Sequence, residues 1–335
     1  MTLISRAPVR ISFGGGGTDL ASYYEKYEGM VVSAAISKYI YAILELREDD
    51  RIQIISSDLQ LNQTVSDFYH LRFGEGLDIP VAVIKRFGVH RGMNIFLASE
   101  VPPGTGLGSS GAVCVSMVNL FNELERMKMG EQEIAETAYA IGHDDLGMPI
   151  GKQDEYASAF GGVNAIYFSK DGVRVEPMKI TEEVRRRLEE DVLLFFTGRT
   201  RDSSKILTSQ DSSASKGDSA VVEGLHEIKA LGMQIKESIE DGDLQRMGEL
   251  LDRSWARKRH LVKGISNPRI DEIYEVAAAH GAVGGKLTGA GGGGYLMLYC
   301  PKKDQHGLRA ALSRLELREL DFKFDMEGAE IVTGG

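Results

Sequence analysis

Residues 101 to 120, VPPGTGLGSSGAVCVSMVNL, set Gly104, Gly106 and Gly108 ahead of the pair Ser109-Ser110. Glycines remove the side chains that keep a ligand away from the backbone, and the two serines add hydroxyls beside it. From Val113 onward, Met117, Leu120, Phe121 and Leu124 recur at helical spacing, so the loop opens into a helix. A helix N-terminus offers N–H groups without partners and the positive end of a dipole, which suits a phosphate. The substring Gly106–Gly111 satisfies GxGxxG, yet Pro102, Pro103, Gly104 and Thr105 separate it from the preceding strand, and the region about 20 residues on, where a ribose-binding acid belongs, stays helical. A Walker A loop requires a lysine after its last glycine, and none lies between Arg91 and Lys128. What remains is a phosphate loop of another kind or a glycine-rich connector, and two further glycine loops weigh against the connector.

The first of these is RAPVRISFGGGGTDL, with four glycines from Gly14 to Gly17 before Thr18 and Asp19. Four glycines cost conformational entropy on folding, so close approach of a ligand explains them better than a turn does. Asp19 can accept two hydroxyl hydrogen bonds at a polyol site, or it can cap the helix that follows. Arg10 lies on the strand running into that loop, where an exposed strand charge is its plainest reading. The segment IGKQDEYASAFGG places Asp154 at a loop-to-helix junction; it is either an acid favoured in a first helical turn or a carboxylate that orients and deprotonates a hydroxyl. The third glycine loop is KLTGAGGGG, with Gly289, Ala290, Gly291 and Gly292.

These loops need strands and helices to hold them. RISF, VVSAAISKYIYAILEL, RIQIIS and GMNIFLASEV read as β segments, IPVAVIKRF and EQEIAETAYAIGHDDL as helices, and GGVNAIYF as a returning strand. Beyond residue 180 come a charged helix TEEVRRRLEE, a strand DVLLFFTG, helices over 218–240 and 243–263, a helix opened by Asn267-Pro268 and closed by Gly281, a last helix and the strand-like LDFKFD. The pattern is α+β, helices on antiparallel sheet, with a boundary near 180–190. SQDSSASKGDSA, residues 209–220, reads as a mobile surface segment.

With 335 residues the chain has room for two domains. A net charge of −10 argues against nucleic acid and anionic membrane as partners while leaving room for a local basic pocket. Cys114 and Cys300, both in apolar stretches, read as buried free thiols. No signal peptide or stretch of about 20 apolar residues is evident, so a cytoplasmic protein is expected.

The three glycine motifs together resemble those of the GHMP kinase superfamily. PPGTGLGSSGA is similar to its second motif, with Gly111 where alanine is usual; RAPVRISFGGGGTD and KLTGAGGGG are similar to the first and third. The four-glycine form, GKQDEYASAFGG, TGRTRDSSKIL and ISNPRIDEIY resemble the branch that acts on heptose 7-phosphates. The resemblance implies a two-domain GHMP kinase fold: an N-terminal ATP-binding domain, 1–185, with a left-handed βαβ unit, and a C-terminal ferredoxin-like domain, 186–335. It implies ATP phosphates over Pro103, Gly104, Gly106, Leu107, Gly108, Ser109, Ser110 and Gly111, and Mg²⁺ on Ser110. Asp154 becomes the base and Arg10 the cation on the transferred phosphoryl. Gly16, Gly17, Thr18, Asp19, Lys152, Arg201 and the loop Gly289–Gly292 become substrate contacts.

The second Mg²⁺-binding carboxylate of related kinases falls at Gly142-His143, so Asp144 or Asp145 would substitute. Lys152, Arg199, Arg201 and Lys258 are the cations available for an acceptor's own phosphate. The implied reaction phosphorylates the anomeric hydroxyl of a heptose 7-phosphate. An unphosphorylated fucose- or galactose-type acceptor, or a nucleotide-binding regulator without turnover, stands as the alternative. The protein would act as a monomer or homodimer.

Overall fold

A computed structural model describes residues 2–200 and 204–332. The chain begins with two long strands, β1 (Thr2–Gly14) and β2 (Gly29–Leu46), linked through the short helix α1 (Ala21–Tyr27). Their antiparallel register runs from Thr2↔Glu45 to Gly14↔Val32. A hairpin of β3 (Ile52–Ser56) and β4 (Leu61–Val65) leads to helix α2 (Asp78–Phe87) and strand β5 (Met93–Ser99). β3 lies parallel to β5, so β3–α2–β5 is the expected βαβ unit. Helices α3 (Ser109–Leu124), α4 (Glu131–Ala140) and α5 (Gln153–Phe160) then precede the hairpin β6 (Val163–Ser169) and β7 (Gly172–Pro177). α3 carries its apolar positions, Met117, Leu120 and Phe121 among them, at zero exposure against the sheet; burying such side chains is worth roughly 1.5–3 kcal/mol each.

The second half opens with α6 (Glu182–Asp191), whose Thr181 cap accepts from the Val184 N–H, and continues through β8 (Val192–Phe196). After α7 (Ser204–Ser215), α8 (Ser219–Glu240), α9 (Leu244–Lys258) and α10 (Pro268–Ala279) come β9 (Gly284–Leu287), β10 (Tyr295–Tyr299), α11 (Gln305–Arg314) and β11 (Arg318–Leu320). Their sheet has the order β11-β8-β10-β9 with every neighbouring pair antiparallel, which is the ferredoxin-like arrangement. α10 begins at the Asn267-Pro268 signal: the Asn267 side chain accepts from the Arg269 and Ile270 N–H groups.

Three features differ from the sequence reading. Most of the segment taken as a mobile surface stretch is helical, and α7 tucks Ile206, Gln210 and Ala214 inward. The helix expected to run to residue 263 stops at Lys258, beyond which the chain turns. The strand expected over LDFKFD, 320–325, holds only at Leu320, the end of β11; Phe324 makes a single bridge to Ile36, and an unforeseen strand, β12 (Glu330–Ile331), returns to β1, with Tyr39 Oη donating to Asp325 along the way. The tail thereby covers the edge of the first sheet, which would otherwise present unpaired backbone groups. Cys114 and Cys300 are buried and free, and burial pushes both thiols up from their ordinary value. Among the described residues, no helix is long and apolar enough to cross a membrane.

Candidate active site

The site begins with a strand that laces a loop. The Arg10 N–H on β1 donates to Leu107 O at 2.9 Å, and Leu107 itself is wholly buried, so the middle of the glycine loop is anchored to the sheet from below. Gly106 and Gly108 both have φ near +80°, at +79° and +77°, where an L side chain is strained. A Cβ on Gly106 would also stand 2.5 Å from Thr288 O, because the third glycine loop packs directly on this one. α3 has no side-chain cap; its first backbone bond runs from Ala112 N–H to Gly108 O. The N–H groups of the first turn therefore meet a cavity instead of a protein acceptor, as anion binding requires.

Arg10 joins that loop to Asp154. Its side chain is nearly buried, with Nη1 donating to Gly106 O at 2.6 Å and Nη2 to Asp154 Oδ1 at 2.6 Å. The pair leaves Asp154 partly exposed, 26% for its side chain, on the cavity wall. Beside it Asp19 is 2% exposed: Oδ1 accepts from Gly17 N–H at 2.9 Å and Oδ2 from Gln153 Nε2 at 3.0 Å. Burial pushes the Asp19 carboxyl up from its ordinary value, against the pull of its backbone hydrogen bonds. The cavity measures about 780 Å³ and runs from Arg10, Asp19, Asp154 and Gly289 past Ser109 and Ser110 to an apolar end at Leu59, Phe73, Leu77 and Pro80. A guanidinium, a positioned carboxylate and open helix amides in one cleft can hold a phosphate chain and take a proton from a hydroxyl aimed at it.

Residues 78–162 match the family model of the GHMP kinases N-terminal domain and 235–316 that of the GHMP kinases C-terminal region. A D-glycero-alpha-D-manno-heptose 7-phosphate kinase of Campylobacter jejuni is 32% identical, with 98% of each chain covered. The chain belongs to the GHMP kinase family. A solved structure described as a D-glycero-D-manno-heptose 1-phosphate kinase from Bacteroides thetaiotaomicron superposes with a TM-score of 0.83 at 27% identity, covering 99% of both chains. Lactococcus lactis galactokinase complexed with galactose shares the fold, with a TM-score of 0.80 at 17% identity over 98% of this chain and 95% of that one. This GHMP kinase is accordingly an ATP-dependent small-molecule kinase.

The sequence-predicted residues of the kinase fall into three groups. Arg10, Gly17, Asp19, Pro103, Gly104, Gly106, Gly108, Ser109, Ser110, Asp145, Asp154, Gly289 and Ala290 line the one cavity. Others build its walls from behind. Thr18 Oγ1 donates to Gly15 O at 2.8 Å and accepts from Met30 N–H at 3.0 Å, Gly291 and Gly292 pack against Ile265, and Gly16 and Gly111 are buried. A third group sits elsewhere. The Lys152 ammonium donates to Glu136 Oε2 at 3.1 Å and lies 4.9 Å from the Tyr139 ring centre, outside the cavity lining. Arg199 is exposed and outside the lining, Asp144 pairs with His143, and Arg201 lies outside the described residues. Gln153, Gln210, Lys286 and the apolar end of the cavity escaped the sequence reading. Gln153 and Lys286 stand inside the motifs quoted above, but their side chains reach Asp19 and Ser12, far away in the sequence, which local spacing does not show.

Gly111, where alanine is usual, has a structural reason here. A Cβ there would stand 2.8 Å from Asp154 Cβ and 3.2 Å from Glu155 Oε1, and Glu155 is buried. Burial, with the neighbouring Asp154 charge, pushes the Glu155 carboxyl well above its ordinary value, so its neutral form is favoured. Gly111→Ala is therefore expected to displace Asp154 and lower kcat about tenfold to a hundredfold, the scale of a misplacement on the order of 1 Å. Steady-state rates check this, and wild-type kcat in the variant would show that the helix and Asp154 can part without loss.

Proposed function

We propose that this kinase transfers the γ-phosphoryl of ATP to the anomeric hydroxyl of D-glycero-D-manno-heptose 7-phosphate, giving the 1,7-bisphosphate. The observation that carries the reading is the Arg10 fork, which holds the glycine loop and Asp154 in one rigid unit at the cavity. In this reading the open amides of α3 and the hydroxyls of Ser109 and Ser110 hold the ATP phosphates, and the apolar end of the cavity takes the base. Asp19, fixed by Gly17 and Gln153, accepts from acceptor hydroxyls. Asp154 receives the proton of the attacking hydroxyl, while Arg10 offsets charge on the phosphoryl in flight.

Mg²⁺ fits the oxygen donors present. Ser110 is exposed at the helix mouth, and Asp145 lines the cavity while paired with Arg86 at 2.8 Å. A bound ion would add Lewis-acid charge neutralisation on the phosphate oxygens. At Gly142 a Cβ would meet Ile150 Cδ1 at 2.7 Å, so a side chain there requires the end of Ile150 to move aside. In this reading the carboxylate for this role is Asp145, which lies on the π-helical turn 141–145 and on the cavity lining.

The heptose acceptor is supported by the Campylobacter relative, and the Bacteroides structure is described as acting on a heptose phosphate with the phosphate at a different carbon. A panel of sugars and sugar phosphates, scored by ADP release and by ³¹P NMR of the product, tests the reading. The expected result is greatest kcat/KM with heptose 7-phosphate and a new anomeric phosphate resonance. Preference for free fucose, galactose or heptose, or a product phosphorylated elsewhere, would overturn it.

A further inference from the structure

Four cations were available from the sequence to hold an acceptor's own phosphate. Of those described, Lys152 is committed to Glu136 and Arg199 is outside the cavity lining, whereas Lys258 lines it. Lys258 ends α9 and is 6% exposed, and among the described residues its ammonium donates to one group, Gly289 O, at 2.9 Å. Among the described residues no carboxylate pairs with it. Behind it stands Lys286, 3% exposed, whose ammonium among the described residues donates to Ser12 O alone, at 2.8 Å. Ser12 Oγ is buried with no hydrogen-bond partner among the described residues. The three converge on one point: from the position a Cβ on Gly16 would occupy, Lys258 Nζ is 3.6 Å away, Ser12 Oγ 3.7 Å and Lys286 Nζ 3.9 Å.

A buried ammonium without a counter-charge is costly, and proteins normally pair it or leave it neutral. The charges facing the two lysines are Arg10, ion-paired with Asp154, and Asp19, whose oxygens accept from Gly17 and Gln153 and whose charge acts on both ammonium groups. At the first glycine loop Arg10, Lys258 and Lys286 face two carboxylates, Asp154 and Asp19, so with both lysines protonated one positive charge is left there for an anion that arrives with the acceptor. We propose that Lys258 is the specificity-determining residue of this kinase, binding the phosphate that the sugar acceptor already carries. The proposal rests on the sugar-phosphate reading above, and it adds the residue that enforces it.

The acid–base behaviour gives a second handle. Burial pushes Lys258 down to about 8, with Arg10 lowering it further and Asp19 opposing. Lys286, also facing it, is pushed well below its ordinary value by burial, by Lys258 and by Arg10. The free enzyme therefore loses the Lys258 charge as pH rises through about 8, and phosphate binding weakens in the same window.

The test compares wild type, Lys258→Met and Lys258→Arg with heptose 7-phosphate and with the same heptose lacking the phosphate, at saturating ATP. The expected result is that Lys258→Met lowers kcat/KM for the phosphorylated sugar about 30- to 100-fold more than for the free sugar, mostly through KM, as loss of a charge-assisted contact should. Lys258→Arg keeps part of the discrimination, and the rise of acceptor KM above pH 8 seen in wild type is absent from Lys258→Met. The melting temperature of Lys258→Met at pH 7 is expected to rise, since an unpaired buried charge is gone, which also shows that the variant folds. Equal losses on both sugars carried by kcat would overturn the proposal and place Lys258 on the transferred phosphoryl. Unchanged discrimination would overturn it and leave Lys258 a packing residue. Failure of the sugar-phosphate reading is visible separately, in wild type alone, as preference for the free sugar, and would overturn both.

Discussion

Asp154→Asn is expected to lower kcat about 10³-fold while the KM for ATP stays near its wild-type value. The amide fills the same space and can still accept from Arg10 Nη2, so the 2.6 Å contact that positions the side chain survives in weakened form. What it cannot do is take a proton. Asp154 contributes nothing to the open amides of α3, so the proposed nucleotide phosphate seat is untouched. Single-turnover rates with ATP and heptose 7-phosphate, beside equilibrium binding of a nonhydrolysable ATP analogue, check both halves. A variant with near wild-type kcat would remove Asp154 from the role of base. One that has lost nucleotide binding would make it a structural acid of the phosphate loop.

The second large effect is expected at Arg10. Arg10→Met removes three things at once: the cation over the transferred phosphoryl, the donor to Gly106 O and the partner of Asp154. The main-chain bond to Leu107 O remains, so the strand still anchors the loop, but the carbonyl of Gly106 loses its buried partner. The expected outcome is a fall of about 10³-fold in kcat together with a raised KM for ATP, a combination that Asp154→Asn should not show. Arg10→Lys is expected to recover only part of the rate, because one ammonium cannot satisfy a carbonyl and a carboxylate in the fixed geometry of a guanidinium fork. Initial rates across an ATP titration decide the matter. An Arg10→Met enzyme with unchanged ATP KM and kcat within tenfold of wild type would show that the fork serves packing alone.

The two variants separate roles that the sequence could only set side by side. Arg10 in RAPVRISF reads most simply as an exposed strand charge, and in the fold it is almost completely buried. The reason is the topology, which brings Gly106, 96 positions away, and Asp154, 144 away, to the same face of β1. Lys152 shows the converse. Its place two residues before Asp154 invites a substrate role, yet helix α4 offers it Glu136 and the ring of Tyr139, and the ammonium turns to them. Neighbours in sequence say nothing about which way a long side chain is drawn.

What the sequence determined by itself is what local physics governs. The Asn267-Pro268 start of α10, the strand-loop-helix at 93–124, the apolar stripe of α3 and the glycine loops follow from capping, periodicity and backbone freedom, all of which act over a few residues. The glycine motifs also carried the family. Only the tertiary structure decided the burial of Lys258 beside Lys286, the tight seat of Gly111 against Asp154 and the return of β12 to the first sheet. Each depends on contacts between segments tens to hundreds of residues apart, and whether a buried charge or a missing methyl matters is settled by what the other segment places against it.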